Sequence, residues 1–215
     1  MEFLHGLLDL VLHLDRHLVE LLAQHGAWIY AVLFAIVFAE TGFVVTPILP
    51  GDSLLFAAGA LTAVDASGTL RLVPLALLLV GAAVGGNSLN YAIGRLVGPR
   101  AFHGHNRLLS VEHLERTAAF FRRHGAVAIV LSRFVPIVRT FAPFVAGIGR
   151  MPYARFQLFN VTGGSAWVLL FTVGGYLFGN LPWVKGHFAL VTIAIILASL
   201  VPLAATILRD RREAR

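Results

Sequence analysis

The sequence predicts an all-α integral membrane protein made of two inverted repeats, and three observations carry that expectation. The first is composition. Of the 215 residues 58% are hydrophobic and only 13% charged, with a mean hydropathy of +0.80, too little polar surface for a water-soluble chain of this length. The second is the way prolines and glycines break two of the apolar stretches. The third is four charges at bilayer depth. Between Leu21 and Val64 the only formal charges are Glu40 and Asp52, and between Gly125 and Gly149 they are Arg133 and Arg139. Left unpaired, four such charges would cost on the order of 10 kcal/mol, so they must face each other, water or a charged ligand.

Taken in order, residues 3–25 carry leucines and valines at helical spacing, interrupted by Asp9, His13, Asp15, Arg16, His17 and Glu20. This pattern predicts an amphipathic helix at the membrane interface or on the bundle. Residues 27–64 are apolar but broken at Thr46-Pro47-Ile48-Leu49-Pro50-Gly51, and the piece from Ser53 to Val64 is too short to span. A polar turn, Asp65-Ala66-Ser67-Gly68, precedes a spanning helix at 72–97. A basic loop is expected over 98–125. Residues 126–149 repeat the broken pattern with Pro136, Pro143, Gly147 and Gly149. Spanning helices follow at 153–178 and at 187–208, the second with a kink at Pro202, and a basic tail closes the chain at 209–215.

Charge orients these segments. Residues 95–124 hold six arginines against Glu112 and Glu115, and the tail holds four against Asp210 and Glu213. Bases clustered in short connections mark the cytoplasmic side. If both clusters are cytoplasmic, the two spans after 149 use up the crossings, and 126–149 must enter from the cytoplasm and return. By the same logic 27–64 dips in from outside. Each half is then a re-entrant hairpin followed by a transmembrane helix, in opposite orientations, as in secondary transporters whose broken helices meet at the midplane. This repeat rests on topology rather than on residue identity between the halves.

Several classes are excluded or disfavoured. There is no cysteine, so disulfides, thiolate catalysis and cysteine metal sites drop out. His13 and His17 stand four apart like metal ligands, but an interfacial helix explains them better; no metal or cofactor is expected. The arginines read as topology signals, not as a nucleic-acid surface. No removable signal peptide is expected, because the N-terminus lacks a basic n-region and a cleavage pattern. Gly81 to Gly85 and Gly175 to Gly179 have GxxxG spacing, pointing to close packing within the chain, with a homodimer face as the other use. Trp167 and Trp183 read as packing or interfacial anchors.

The four charges carry the chemistry. A carboxylate withdrawn from water can take up and release a proton, so Glu40 and Asp52 read as proton carriers; a structural ion pair, or for Asp52 a helix cap, is the alternative. Arginine stays charged and grips phosphate through a planar fork. Arg133 and Arg139 flank Pro136 and read as a clamp on one phosphate, or as partners that lock the acids. In the resting state both arginines are expected to pair with both acids. Asn87, Asn90 and Asn160 are expected to hydrogen-bond within the bundle or to line the cavity.

These residues resemble the DedA family, in the superfamily of SNARE-associated and VTT-domain proteins. Glu40 with Pro47-Ile48-Leu49-Pro50-Gly51-Asp52 is similar to the family's first signature. Ser132-Arg133-Phe134, Pro136, Arg139, Pro143 and Ala146-Gly147 are similar to its second. Gly85-Gly86-Asn87, Tyr91 and Gly94-Arg95 fit between them, and Arg155 to Asn160, Gly164, Trp167 and Gly175-Tyr176 follow. Asn87 departs from the acid found in many members. The resemblance spans roughly residues 25–180. It implies facing re-entrant hairpins, proton-motive-force dependence, and transport of phospholipid-type substrates, including undecaprenyl phosphate, in the bacterial inner membrane. Pro50, Gly51, Asn87, Ser132, Pro136, Pro143, Gly147 and Asn160 then support the cavity. The expected function is a multi-pass lipid flippase or scramblase with a cytoplasmic C-terminus. Its partners are anionic phospholipid or polyprenyl phosphate and protons. A small-anion transporter is the alternative. A lipid phosphatase is a further alternative, but no histidine is spaced to act as nucleophile, so no enzyme is expected.

Overall fold

A computed structural model describes residues 14–43, 51–97, 111–187, 190–195 and 197. The start of the expected amphipathic helix, the Pro-rich break with Pro50, residues 98–110 and most of 187–215 lie outside the described residues. Among the described residues every regular element is helical.

Helix α1, Leu14–His25, turns at Gly26 (φ +52°) into α2, Trp28–Gly42. Along α2 the buried residues Ile29, Leu33, Val37 and Glu40 recur at helical spacing, so Glu40 ends the stripe that faces the core. Helix α3, Gly51–Val64, leads through the turn at 65–71 into α4, Leu72–Val97. In that turn Asp65 accepts hydrogen bonds from the Ser67 and Leu70 amides at 2.9 and 2.7 Å. Tyr30 reaches across, donating to the Thr69 carbonyl and accepting from the Arg71 amide.

The second half opens on α5, Val111–His124, where a loop was expected. Val111, Leu114, Ala118 and Phe121 recur along one side of this segment while Glu112, Glu115, Arg122 and Arg123 fill the rest, which is the pattern of an amphipathic helix. Phe120 and Phe121 pack against Val135, Val138 and Ala142. A 3-10 turn at Gly125–Val127 runs into α6, Ala128–Ser132. After a three-residue break comes α7, Pro136–Ile148, then α8, Tyr153–Phe178, and the short α9, Pro182–Gly186. Val135 is extended (φ −122°, ψ 103°), as a residue before proline prefers, and Pro136 starts α7 where its missing N–H costs nothing.

Helices α4 and α8 have 26 residues each, about 39 Å at 1.5 Å per residue, enough to cross a hydrocarbon core of about 30 Å. They pack against each other, and the shorter helices lean on them: α2 and α7 on α4, α3 and α6 on α8. The outer faces stay apolar. Leu77 is 69% exposed and Leu170 58%, a surface that suits lipid and not water. Tight crossings use glycine. A Cβ on Gly59 or Gly175 would overlap backbone of the facing helix where α3 meets α8, and one on Gly94 or Gly147 would do the same where α4 meets α7. Gly175 and Gly179 thus pack against α3 of the same chain, whereas Gly81 has open space beside it.

Candidate functional site: a buried acid–arginine cluster

All four charges from the two broken segments are buried. Glu40 and Arg133 are 1% and 2% exposed, and Asp52 and Arg139 8% and 9%. Glu40 comes from the last turn of α2, Asp52 from the first turn of α3, and Arg139 from the first turn of α7. A Cβ on Gly51 would run into the Glu40 carboxylate, which would have to shift to admit it.

The Arg139 fork divides between the two acids. Its Nη1 donates to Asp52 Oδ1 at 2.9 Å and its Nη2 to Glu40 Oε1. Trp167 Nε1 donates to the same Asp52 oxygen at 2.8 Å. Asn90 on α4 fixes the surrounding backbone. Its Nδ2 donates to the Thr140 carbonyl at 2.9 Å and to the Thr41 carbonyl at 3.3 Å. Those residues follow Arg139 and Glu40 in the chain, so one buried amide holds the helices that carry the two partners. Pro143, inside α7, offers no N–H to the Arg139 carbonyl four residues back. Gly147 presses α7 onto α4, against the Tyr91 carbonyl.

Arg133 is placed differently. It sits in the break between α6 and α7, just after Ser132, whose Oγ donates to the Ile129 carbonyl at 2.9 Å. Among the described residues no carboxylate lies within ion-pair distance of Arg133; both acids go to Arg139. The expected pairing of both arginines with both acids is corrected here. The reason is geometric: the break leaves Arg133 on the α8 side, where Nη2 donates to Asn160 Oδ1 at 2.8 Å. Asn87 Nδ2 donates to that same oxygen at 3.0 Å, and Asn160 Nδ2 to the Val84 carbonyl at 3.0 Å. Gly164 leaves room for the guanidinium, since a Cβ there would come within 3.0 Å of Nη2. Arg133 Nε and Nη1 are buried with no hydrogen-bond partner among the described residues.

Trp167 joins the two arginines. The Arg139 guanidinium carbon lies 5.3 Å from its ring centroid and that of Arg133 5.7 Å, within cation–π range. Trp167 is fully buried, so its role is within the site and not at the interface; Trp183 is 64% exposed. Sequence reading did not link Trp167 or Asn160 to the arginines. The signal was available: Tyr153, Gln157, Asn160, Gly164 and Trp167 are spaced 4, 3, 4 and 3 along α8, one face of one helix. Pro50 lies outside the described residues. Pro136 begins α7. Among the described residues no group of His, Asp and Glu is arranged to hold a metal.

The fold and the buried cluster define an all-α membrane protein whose polar site lies inside a helical bundle. Residues 49–177 match the VTT domain. Protein DedA of Escherichia coli K12 is 47% identical over 215 residues, covering 100% of this chain and 98% of that one. A Mycobacterium tuberculosis membrane protein is 39% identical over 193 residues (88% and 84%). The inner membrane protein YghB of Escherichia coli K12 is 38% identical over 174 residues (80% and 75%). No solved structure matches the chain. The chain belongs to the DedA family of VTT-domain membrane proteins.

Proposed function

We propose that this protein is a proton-motive-force-dependent lipid transporter of the bacterial inner membrane, acting on phospholipid or undecaprenyl phosphate. The observation that carries the reading is the division of labour between the arginines. Arg139 is locked by two carboxylates, while Arg133 is buried with two of its nitrogens, Nε and Nη1, unpartnered among the described residues. A buried, unpartnered guanidinium is costly in a sealed core and useful in a site that receives an anion. Protonating Glu40 or Asp52 loosens the lock and frees Arg139 to share a headgroup phosphate, while the acyl or polyprenyl tail stays in the bilayer. Deprotonation returns Arg139 to the acids and releases the phosphate. No covalent bond is made or broken.

The inverted-repeat reading is supported by the packing scheme. In each half the first short helix leans on its own long helix, α2 on α4 and α6 on α8. The second leans on the long helix of the other half, α3 on α8 and α7 on α4. The glycine crossings follow the same exchange: Gly59 and Gly147 stand in Phe-x-Ala-Gly segments, 56–59 and 144–147. The inner-membrane location is supported by the name of the relative YghB, and the arginine clusters support a cytoplasmic C-terminus.

The test is headgroup translocation in proteoliposomes under an imposed proton gradient. Arg139→Ala is expected to abolish it, and Glu40→Gln to leave a rate that no longer responds to pH. Unchanged translocation by Arg139→Ala would sink the mechanism, and a retained pH response in Glu40→Gln would remove Glu40 as proton carrier.

A further inference from the structure

Arg133 and Arg139 both face Trp167, but among the described residues it is Arg133, and not Arg139, whose buried guanidinium nitrogens include two with no hydrogen-bond partner. Asn160, which accepts from Arg133, lies seven residues into α8 from Tyr153, about 10 Å along the axis, whereas both acids go to Arg139. From Arg133 a line of polar groups runs back toward the start of α8. Asn160 Nδ2 donates to Gln157 Oε1 at 3.1 Å and to Ser88 Oγ at 3.4 Å. Gln157 Nε2 donates to Ser88 Oγ at 2.7 Å and to the Tyr153 hydroxyl. Exposure rises along this seam between α4 and α8: Asn160 is buried, Ser88 and Gln157 are half-buried, and Tyr153 is exposed.

We propose that Arg133 is a separate docking site for a phosphate-bearing anion, reached along the Tyr153–Gln157–Ser88–Asn160 seam and filled while Arg139 is still locked by Glu40 and Asp52. The proposal rests on the transporter reading and adds an order of events to it. A phosphate at Arg133 finds unused N–H donors on Nε and Nη1, which lie on different sides of the guanidinium, and each can give a charge-assisted hydrogen bond to a phosphate oxygen. The seam offers amide and hydroxyl groups at one-turn intervals to an incoming headgroup. With its acids ionised, the Glu40–Asp52–Arg139 group carries one net negative charge and Arg133 balances it. An arriving anion cancels that balance, which favours proton uptake by one of the acids and hence release of Arg139. The two arginines act in sequence, not as a single clamp.

The chain has no cysteine, which makes the seam directly testable. Ser88→Cys, in nanodiscs, is treated with the anionic thiol reagent sulfonatoethyl methanethiosulfonate, with Ser67→Cys in the exposed turn as control. The probes are dihexanoyl phosphatidate and inorganic phosphate, run separately; protection by both marks a site for the phosphate group, and protection by the first alone marks a lipid headgroup site. Ser88→Cys is expected to react, and dihexanoyl phosphatidate to slow the reaction. In the Arg133→Gln background the probe concentration needed for protection should rise about tenfold or more, as for loss of a charge-assisted contact. In the Arg139→Gln background it should change little. Gly164→Ala, which displaces the guanidinium without removing its charge, should weaken protection partially and covers the case in which Arg133→Gln fails to fold. An unreactive Ser88→Cys beside a reactive Ser67→Cys would overturn the seam. Equal loss of protection in the Arg133 and Arg139 variants would overturn the sequential order in favour of one clamp. Intact protection combined with no translocation by the unmodified protein would leave the docking site standing and defeat the transporter reading instead.

Discussion

Arg139 is held by two carboxylates, and its removal leaves both of them buried without their shared cation. Breaking a buried ion pair from one side costs about 3–5 kcal/mol, so Arg139→Ala should lower stability by that order in chemical denaturation of the detergent-solubilised protein. Adding Glu40→Gln in the same background should recover part of the loss, because a neutral amide replaces a stranded charge. A double variant no more stable than Arg139→Ala would show that the lock contributes little. Asp65 allows a pH prediction away from the membrane core. The amide of Leu70 and the hydroxyl and amide of Ser67 hold its carboxylate below the usual range. A lowered folded value means that the contribution is present above the unfolded value of about 3.9 and fades as pH falls through the lowered one. The melting temperature of Asp65→Asn should therefore fall below wild type at pH 7, and the gap should close in strong acid. A constant gap would assign the effect to turn geometry instead. The four charges were legible in the sequence because each violates its apolar surroundings. Which arginine meets the acids was not: Arg133 and Arg139 are the same residue type six positions apart, and the break before Pro136 sends them to different neighbours.

At the scale of helices, glycine sets how closely the site-bearing elements approach. Gly147 lets α7, and with it Arg139, lie against the backbone of α4; Gly59 and Gly175 do the same for α3, which carries Asp52, against α8. Gly147→Val and Gly59→Val should each destabilise by about 1–3 kcal/mol, the cost of overpacking, and should depress transport more than they depress folding yield. A Cβ on Gly174 would have nothing within 4 Å, so Gly174→Ala should be neutral or stabilising by up to about 1 kcal/mol. Thermal unfolding of this set checks the contrast, and a loss in Gly174→Ala equal to that in Gly147→Val would refute the crossing argument. Long helices were legible because α4 and α8 are long apolar runs with a polar turn or a Pro-bearing turn before each. Helix α5 was not read, since its charges drew a loop assignment over an apolar stripe that was present at 3.6-residue spacing. The Phe-x-Ala-Gly likeness between halves is also present in the sequence, but four residues carry little weight until the two segments are seen to make equivalent crossings.

For the whole molecule the open quantity is direction across the membrane. Helices α4 and α8 are each long enough to span, and each bears the short helices of both halves. If the basic segment after α4 is cytoplasmic, the turn at 65–71 faces outside, and α8 starts at the cytoplasmic surface. The seam from Tyr153 to Arg133 then opens toward the cytoplasm, and the docking site receives its anion from the inner leaflet. The absence of cysteine from the chain permits single-site labelling without a background. In intact cells an impermeant maleimide should modify Ser67→Cys fully and Arg155→Cys only after the membrane is permeabilised. Both residues are exposed in the structure, so burial does not confound the comparison. Labelling of both sites from outside would break the crossing count on which the inverted arrangement rests. A reversed pattern would keep that arrangement and turn the seam, with the direction of headgroup capture, to the outer leaflet.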